Sequence, residues 1–147
     1  MKTQTVIVER IFDADKESVW RAITEKELMK QWYFNLAEFK TESGFKFEFM
    51  GGPEDGTQYK HLCEITEVIP QQKLTYSWRY EGYEGITFVT FELFEENKKT
   101  RLKLTHTGFE TFPAIPDFSI QNFEAGWDHI INVSLKGFLE KNKQNEQ

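Results

Sequence analysis

Three histidines and one cysteine are the side chains in this sequence best suited to chemistry at neutral pH. His61 and Cys63 are two positions apart, which places both on one face of a strand, and His106 follows in a later segment of similar pattern. A zinc site would need a third or fourth ligand, and neither a C-x-x-C nor an H-E-x-x-H spacing occurs. The sequence therefore predicts no metal site and no cofactor.

Nucleophilic and acid–base catalysis depend on the same few side chains. Cys63 would need a base within hydrogen-bond reach, but alternate strand residues such as His61 are about 7 Å away along the backbone. A buried, inert thiol is therefore favoured. Acid–base chemistry stays open, because one or two polar groups in an apolar pocket are enough for it. Four residues could supply such groups: Tyr59, His61, His106 and Ser134. The same groups would also orient a passive ligand, so no residue is assigned a catalytic role.

Charge and hydropathy narrow the class of protein. The formal net charge is −6, which is the wrong sign for nucleic-acid binding. No apolar run is long enough to span a membrane, and the first residues lack the apolar core of a signal peptide. A single cysteine excludes an internal disulfide and fits a reducing compartment. We therefore predict one cytoplasmic domain over residues 1–147, with residues 143–147 as a frayed polar tail.

The composition of the core is unusual. Aromatic residues make up 16% of the chain, while all hydrophobic residues together reach only 39%. Large flat side chains pack well only where small residues fill the gaps between them, and ligand pockets are lined mainly by aromatic and apolar groups. The composition alone is compatible with either a filled core or a ligand-sized cavity.

A long C-terminal helix over residues 119–142 adds a second sign of a cavity. On a helical wheel its apolar residues form one stripe: Phe123, Trp127, Ile130, Ile131 and Phe138. Ser134 occupies the middle of this stripe, with Gly126 and Gly137 beside it. Small residues at the centre of a buried face indicate either close approach to another backbone or open space beneath the helix. We take the second interpretation, in which the helix covers a cavity.

The elements that would position these side chains follow from periodicity. A first strand over residues 3–12 precedes two short helices, the first capped by Asp15 and the second by a Thr24–Glu27 capping box and ending at Trp32. About six antiparallel strands and the long helix come next. Residues 85–96 and 100–109 form a hairpin, with Val89, Phe91 and Leu93 facing Leu102, Leu104 and His106. The predicted fold class is α+β, a curved antiparallel sheet with the helix across its concave face.

Four segments in this order resemble a known family: "VWRAITEKELMKQW", "PQQKLTYSW", "TRLKLTHTGF" and "GWDHIINVSLKGFLE". The chain is similar to the START-like (SRPBCC, birch-pollen-allergen-type) superfamily, and within it to the group named for the C-terminal domain of the activator of heat-shock-protein-90 ATPase. The likeness covers residues 5–140. It implies a helix-grip fold with a deep hydrophobic cavity between the sheet and the C-terminal helix. The superfamily includes lipid and hormone carriers, polyketide cyclases and stress proteins, so the fold does not select among them.

The predicted function is binding of a small hydrophobic ligand, aromatic or polycyclic, in a stress-related setting. Its partners would be that ligand, without nucleic acid or membrane insertion. The predicted ligand-binding residues are Trp32, Phe47, Phe49, Tyr59, His61, Trp78, Phe91, His106, Phe123, Trp127, Ile130, Ile131, Ser134 and Phe138.

Two alternatives stay open. The first is a cyclase or hydratase that uses His106 or His61 as acid–base. The second is a co-chaperone-like interaction module that binds through Phe39, Tyr80 and Tyr83 on the outer face of the sheet.

Overall fold

A computed structural model describes residues 5–33, 36, 38–52 and 56–145, and one six-stranded antiparallel sheet forms its centre. The strands are β1 (Thr5–Phe12), β2 (Lys46–Gly51), β3 (Tyr59–Ile69), β4 (Lys73–Tyr80), β5 (Thr87–Glu96) and β6 (Lys99–Thr107). They pair in the order β1-β6-β5-β4-β3-β2. A register shift in β3 between Ile65 and Glu67 is a bulge of the kind that bends a sheet. The predicted α+β class with a curved antiparallel sheet is confirmed.

The β5–β6 hairpin pairs as the sequence predicts. Its inward residues stand opposite one another: Val89 with His106, Phe91 with Leu104, and Leu93 with Leu102. The turn consists of Asn97 and Lys98, whose φ angles of 51° and 68° are both left-handed. Two left-handed residues form the hairpin turn whose twist matches that of the flanking strands. His106 is thereby fixed on the concave face of the sheet.

Two short helices, α1 (Lys16–Thr24) and α2 (Lys26–Met29), follow β1. The Asp15 cap is confirmed, because its carboxylate accepts a hydrogen bond of 2.8 Å from the Ser18 N–H. The Thr24–Glu27 capping box is wrong. The Thr24 hydroxyl instead donates to the Trp20 carbonyl at 2.7 Å, inside α1, and the N-cap residue of α2 is Glu25. A threonine in the last turn of a helix readily makes this backward bond, which removes it from the next helix.

The long C-terminal helix begins after Ser119, whose hydroxyl caps it, and runs as α3 (Ile120–His129), a π-helical segment (Ile130–Leu135) and α4 (Lys136–Asn145). Its buried residues are Phe123, Trp127, Ile131, Leu135, Phe138 and Leu139. A π turn holds more residues than an α turn, so the buried face continues at a spacing of four. The wheel prediction is wrong on this point: Leu135, not Ser134, occupies the centre of the buried face.

The small residues of the C-terminal helix therefore do not form the centre of its buried face. Ser134 is half-buried, and Gly126 and Gly137 are exposed. A Cβ added at either glycine would meet no atom within 4 Å. Both glycines thus weaken the helix without serving close packing against the sheet.

We expect Gly137→Ala and Gly126→Ala each to stabilise the protein by about 0.5–1 kcal/mol, because alanine restricts the unfolded chain and has the higher helix propensity. The free energy of unfolding in urea measures this effect. A loss of stability in either variant would show that the glycine has a packing role that the structure does not reveal.

The helix ends at Asn145, so residues 143–145 of the predicted tail continue the helix, while residues 146–147 lie outside the described part of the chain. Within that described part, no helix combines the length and apolar character needed to cross a membrane. The cytoplasmic location stays a prediction.

Candidate functional site

A cleft of about 510 Å³ lies between α3 and the adjoining ends of β2, β3 and β4. Apolar and aromatic side chains supply most of its lining, and a few polar groups stand among them. The lining residues are Gly51, Gly52, Tyr59, His61, Trp78, Tyr80, Asp117, Phe118, Asn122, Phe123, Ala125, Gly126, Trp127, His129 and Ile130. This size and composition are typical of sites for small organic molecules.

The aromatic rings of the cleft pack against one another in a fixed arrangement. Tyr80 and Phe118 stack with ring centroids 4.5 Å apart and an interplanar angle of 9°. Tyr59 contacts the same Phe118 ring at 5.1 Å. On the other side Trp78 and Trp127 lie 5.7 Å apart. Pairs at these distances stabilise one another beyond the area they bury, so the rings form a preorganised wall.

A chain of buried hydrogen bonds ties α3 to the sheet below the cleft. The Trp127 indole N–H donates to Nδ1 of His106 at 2.9 Å. Nε2 of His106 lies 2.7 Å from the Thr87 hydroxyl, which donates to the Trp78 carbonyl at 3.0 Å. An indole can only donate and a hydroxyl carries one hydrogen, so His106 must hold its proton on Nε2. Each polar atom along this chain is therefore satisfied.

Burial sets the charge state of both histidines on the concave face. His106 is 0% exposed, and burial lowers its pKa from 6.5 to about 3. His61 is 6% exposed, and burial lowers its pKa to about 4, although hydrogen bonds to the backbone of Tyr59 and Phe49 oppose the shift. His61 stacks on the Phe49 ring at 4.5 Å, and its Nδ1–H donates to the Tyr59 carbonyl at 3.0 Å. Both rings are neutral at pH 7.

The mouth of the cleft carries a carboxylate. Asp117 belongs to a short 3₁₀ turn (Pro116–Phe118), and its Oδ2 accepts a hydrogen bond of 2.6 Å from the Tyr59 hydroxyl. This bond raises the Tyr59 pKa to about 12, because it stabilises the protonated phenol beside a negative charge. The Asn122 side-chain amide donates to the Asp117 carbonyl at 2.9 Å and fixes the turn against α3.

The structure brings together part of the predicted ligand-binding set. The predicted residues that line the cleft are Tyr59, His61, Trp78, Phe123, Trp127 and Ile130. Others lie in the core rather than on the cleft: Phe47, Phe49, Phe91, His106, Ile131 and Phe138. Trp32 is buried beside α1, where its indole N–H donates to the Ala22 carbonyl at 2.9 Å. Ser134 is half-buried and is not among the lining residues.

Several lining residues were missed by the sequence reasoning. Tyr80 shares a strand face with Trp78, so the period-two pattern of β4 could have identified it. Ala125 and His129 lie on the exposed rim of the cleft. Asp117 and Phe118 come from a proline-containing loop that has no periodicity, so no pattern indicated them.

A second groove, of about 550 Å³, lies on the outer face of the sheet. Half of its lining residues are charged: Glu38, Lys46, Glu48, Glu64 and Arg79. Its other lining residues are Phe47, Leu62, Cys63, Ser77 and Ile86. We regard the concave cleft as the candidate site because aromatic walls with few polar groups suit a small-molecule ligand better.

The sequence analysis also named residues on the outer face of the sheet that could bind a partner protein. The proposed outer-face residues Phe39 and Tyr80 are wrong for that role, because both are buried, while Tyr83 is 37% exposed. Tyr80 alternates with Trp78 along β4, so its side chain lies on the same concave face. Cys63 is buried, and burial raises the pKa of its thiol, as expected for an inert cysteine. Among the described residues, no three His, Cys, Asp or Glu side chains cluster as a metal site would require.

Comparison with known proteins agrees with this architecture. The sequence model of the family described as "Activator of Hsp90 ATPase homolog 1-like protein" matches residues 13–140. The activator of 90 kDa heat shock protein ATPase homolog 2 of Mus musculus is 26% identical over 137 residues, which are 92% of this chain and 38% of that protein. The chain thus spans 38% or less of the length of the curated relatives it matches.

Solved structures share the fold over nearly the whole chain. The Mll3558 protein of Rhizobium loti has a TM-score of 0.80 at 18% identity, over 93% of this chain and 97% of that one. The MLL2253 protein of Mesorhizobium loti has a TM-score of 0.75 at 26% identity, over the same shares of the two chains. A sheet that grips a long C-terminal helix is therefore common to these proteins.

Proposed function

The chain belongs to the Activator of Hsp90 ATPase homolog 1-like family, and we propose that it is a binding protein for a small aromatic or polycyclic molecule. The observation that supports this most directly is the cleft of about 510 Å³ beside α3, walled by stacked aromatic rings. The family is a START-like one, and ligand binding between sheet and helix fits that fold. The stress-related setting that the family name suggests is part of the proposal.

The physical basis of binding would be burial of a flat ligand against preformed ring faces. The wall is already ordered by ring contacts and by the bond between Trp127 and His106, so little conformational entropy is lost when a ligand enters. Neutral His61 is one of the few polar side chains on a mainly apolar lining, and it adds no charge there. Buried apolar area would supply most of the affinity.

We expect Gly126→Phe to weaken binding of a flat aromatic ligand by at least about tenfold, because the new ring enters the cleft beside α3. Gly126 lines the cleft and a Cβ there meets no atom within 4 Å, so the fold should tolerate the change. The measurement is a titration with 2-naphthylmethanol followed by amide chemical shifts of Trp78 and Trp127.

Gly137→Phe is the matched control, since Gly137 is also exposed on the same helix but does not line the cleft. It should leave binding unchanged. Shifts confined to the outer face of the sheet in the unmodified protein would exclude the cleft as the binding site and would contradict the proposal.

The acid–base alternative depends on His61, because His106 is fully buried and both of its ring nitrogens are engaged. His61 lines the cleft, and its low pKa makes it a weak base at neutral pH. Turnover of a cyclisable polyketide or a hydratable enone, lost in His61→Gln, would favour the enzyme. Binding without turnover favours the carrier.

The co-chaperone alternative comes from the names of the curated relatives, of whose length this chain spans 38% or less. The outer face of the sheet carries both charged and apolar side chains. A row of alternating charge crosses four strands through Glu9, Lys103, Glu92 and Lys73, and Ile7 and Phe88 are exposed beside it. Alternating charge is typical of a solvated sheet face. Stimulation of heat-shock-protein-90 ATPase by this chain, abolished by Phe88→Lys, would favour the alternative.

A further inference from the structure

We propose that the cleft selects an aromatic amine, whose ammonium group binds the Asp117 carboxylate while its ring lies against Trp78 and Trp127. This inference rests on the proposed ligand-binding function and specifies the chemistry of the ligand. It follows from the balance of hydrogen-bond donors, acceptors and charges around the cleft.

Three hydrogen-bond donors on the cleft wall are already used within the protein. The indole N–H of Trp127 donates to His106, and that of Trp78 donates to the Tyr80 hydroxyl at 2.9 Å. The Tyr59 hydroxyl donates to Asp117. A ligand that offers only acceptors, such as a quinone or a carboxylate, would have to compete with these bonds. Breaking a buried bond without replacement is costly, so such ligands are disfavoured.

Acceptors, in contrast, remain at the mouth of the cleft. Oδ2 of Asp117 accepts the Tyr59 hydrogen, and a carboxylate has further lone pairs on both oxygens. The Tyr59 oxygen also hydrogen-bonds to the Thr57 side chain, so the acceptor sites that remain are those of the carboxylate. An ammonium group could therefore donate to the Asp117 carboxylate beside the Tyr59 hydroxyl. Hydrogen bonds between charged groups are the stronger kind.

Charge favours the same ligand. Asp117 is the only Asp, Glu, Lys or Arg among the lining residues that the structure describes, and His61 is neutral. The aromatic faces around it attract cations through their quadrupoles. The net charge of −6 also raises the local concentration of cations near the protein. An anion would meet this carboxylate, and no lysine or arginine on the described lining would compensate for it.

Three probes with one ring system separate these effects: 2-naphthylmethylamine as cation, 2-naphthylmethanol as neutral alcohol and 2-naphthoate as anion. We expect the amine to bind about fivefold more tightly than the alcohol at low salt, and the naphthoate to bind most weakly. Added salt should reduce the preference for the amine. Isothermal titration gives the affinities, and amide shifts of cleft residues confirm the site.

Asp117→Asn should remove the preference for the amine, while affinity for the alcohol stays within about twofold. The asparagine oxygen can still accept from Tyr59, so the turn should keep its shape. Glu124→Gln is the matched control, because it removes one negative charge from an exposed position of α3 outside the lining. It should retain the preference.

The possible results distinguish failure of amine selection from failure of ligand binding. Equal affinities for amine and alcohol, or a preference that survives in Asp117→Asn, would overturn the selection of amines and leave the binding function intact. If none of the three probes shifts the cleft residues of the unmodified protein, the binding function itself fails and this inference fails with it.

Discussion

His106→Ala is expected to lower the free energy of unfolding by about 4 kcal/mol, through loss of a buried ring and of two hydrogen bonds. The ring is 0% exposed and packs against Phe109 and Phe123 at centroid distances of 4.5 and 5.3 Å. Its removal leaves a cavity and also leaves the Trp127 indole N–H buried without its acceptor. Urea denaturation measures the loss.

Two further variants separate packing from hydrogen bonding. Thr87→Val keeps the volume of a fully buried residue but removes the partner of His106 and the donor to Trp78, so we expect a loss of about 1–2 kcal/mol. His129→Ala removes an exposed histidine from the same helix and should change stability by less than about 0.5 kcal/mol. If His106→Ala costs no more than His129→Ala, the ring does not tie α3 to the sheet.

The sheet could be predicted from the sequence because its information is local. Period-two alternation predicts which side chains of a strand share a face, as it does for His61 and Cys63 in β3 and for Val89, Phe91 and Leu93 in β5. It also predicted the set of β6 residues that the β5 residues face, including His106, and the structure shows that His106 stands opposite Val89. What the sequence could not indicate was the partner of His106, because Trp127 reaches it only through the packing of a distant helix.

The cleft was predicted in the right region for a reason that was partly wrong. The wheel assumed 3.6 residues per turn throughout, but the segment Ile130–Leu135 is π-helical and shifts every later residue. Ser134 thereby leaves the buried face and Leu135 enters it. The actual space lies beside α3 rather than beneath its centre, where the side chains of an irregular loop such as Asp117 complete it. Neither a π segment nor a loop conformation has a periodic signature.

Acid should destabilise the protein between pH 6.5 and 4.5, before most carboxylates are protonated. In the folded state the pKa values are about 4 for His61 and about 3 for His106, against an ordinary value of 6.5. The unfolded chain therefore binds more protons than the folded one as the pH falls below 6.5, and stability present above that pH is lost. Each histidine lowers the free energy of unfolding by about 1.4 kcal/mol for each pH unit in this range. The two histidines together should therefore lower it by about 5 kcal/mol by pH 4.5.

The histidine contribution can be separated from that of the carboxylates by the pH window and by substitution. The Asp15 pKa is lowered from 3.8 by its hydrogen bonds to Ser18, so its contribution to stability is lost only at lower pH. His61→Gln and His106→Gln should each flatten the slope between pH 6.5 and 4.5 by about half, whatever their effect on stability at pH 7. Urea midpoints at several pH values give the slope. A stability that is constant across this window would show that both rings take up protons in the folded state as readily as in the unfolded chain, and burial would then not keep them neutral below pH 6.5.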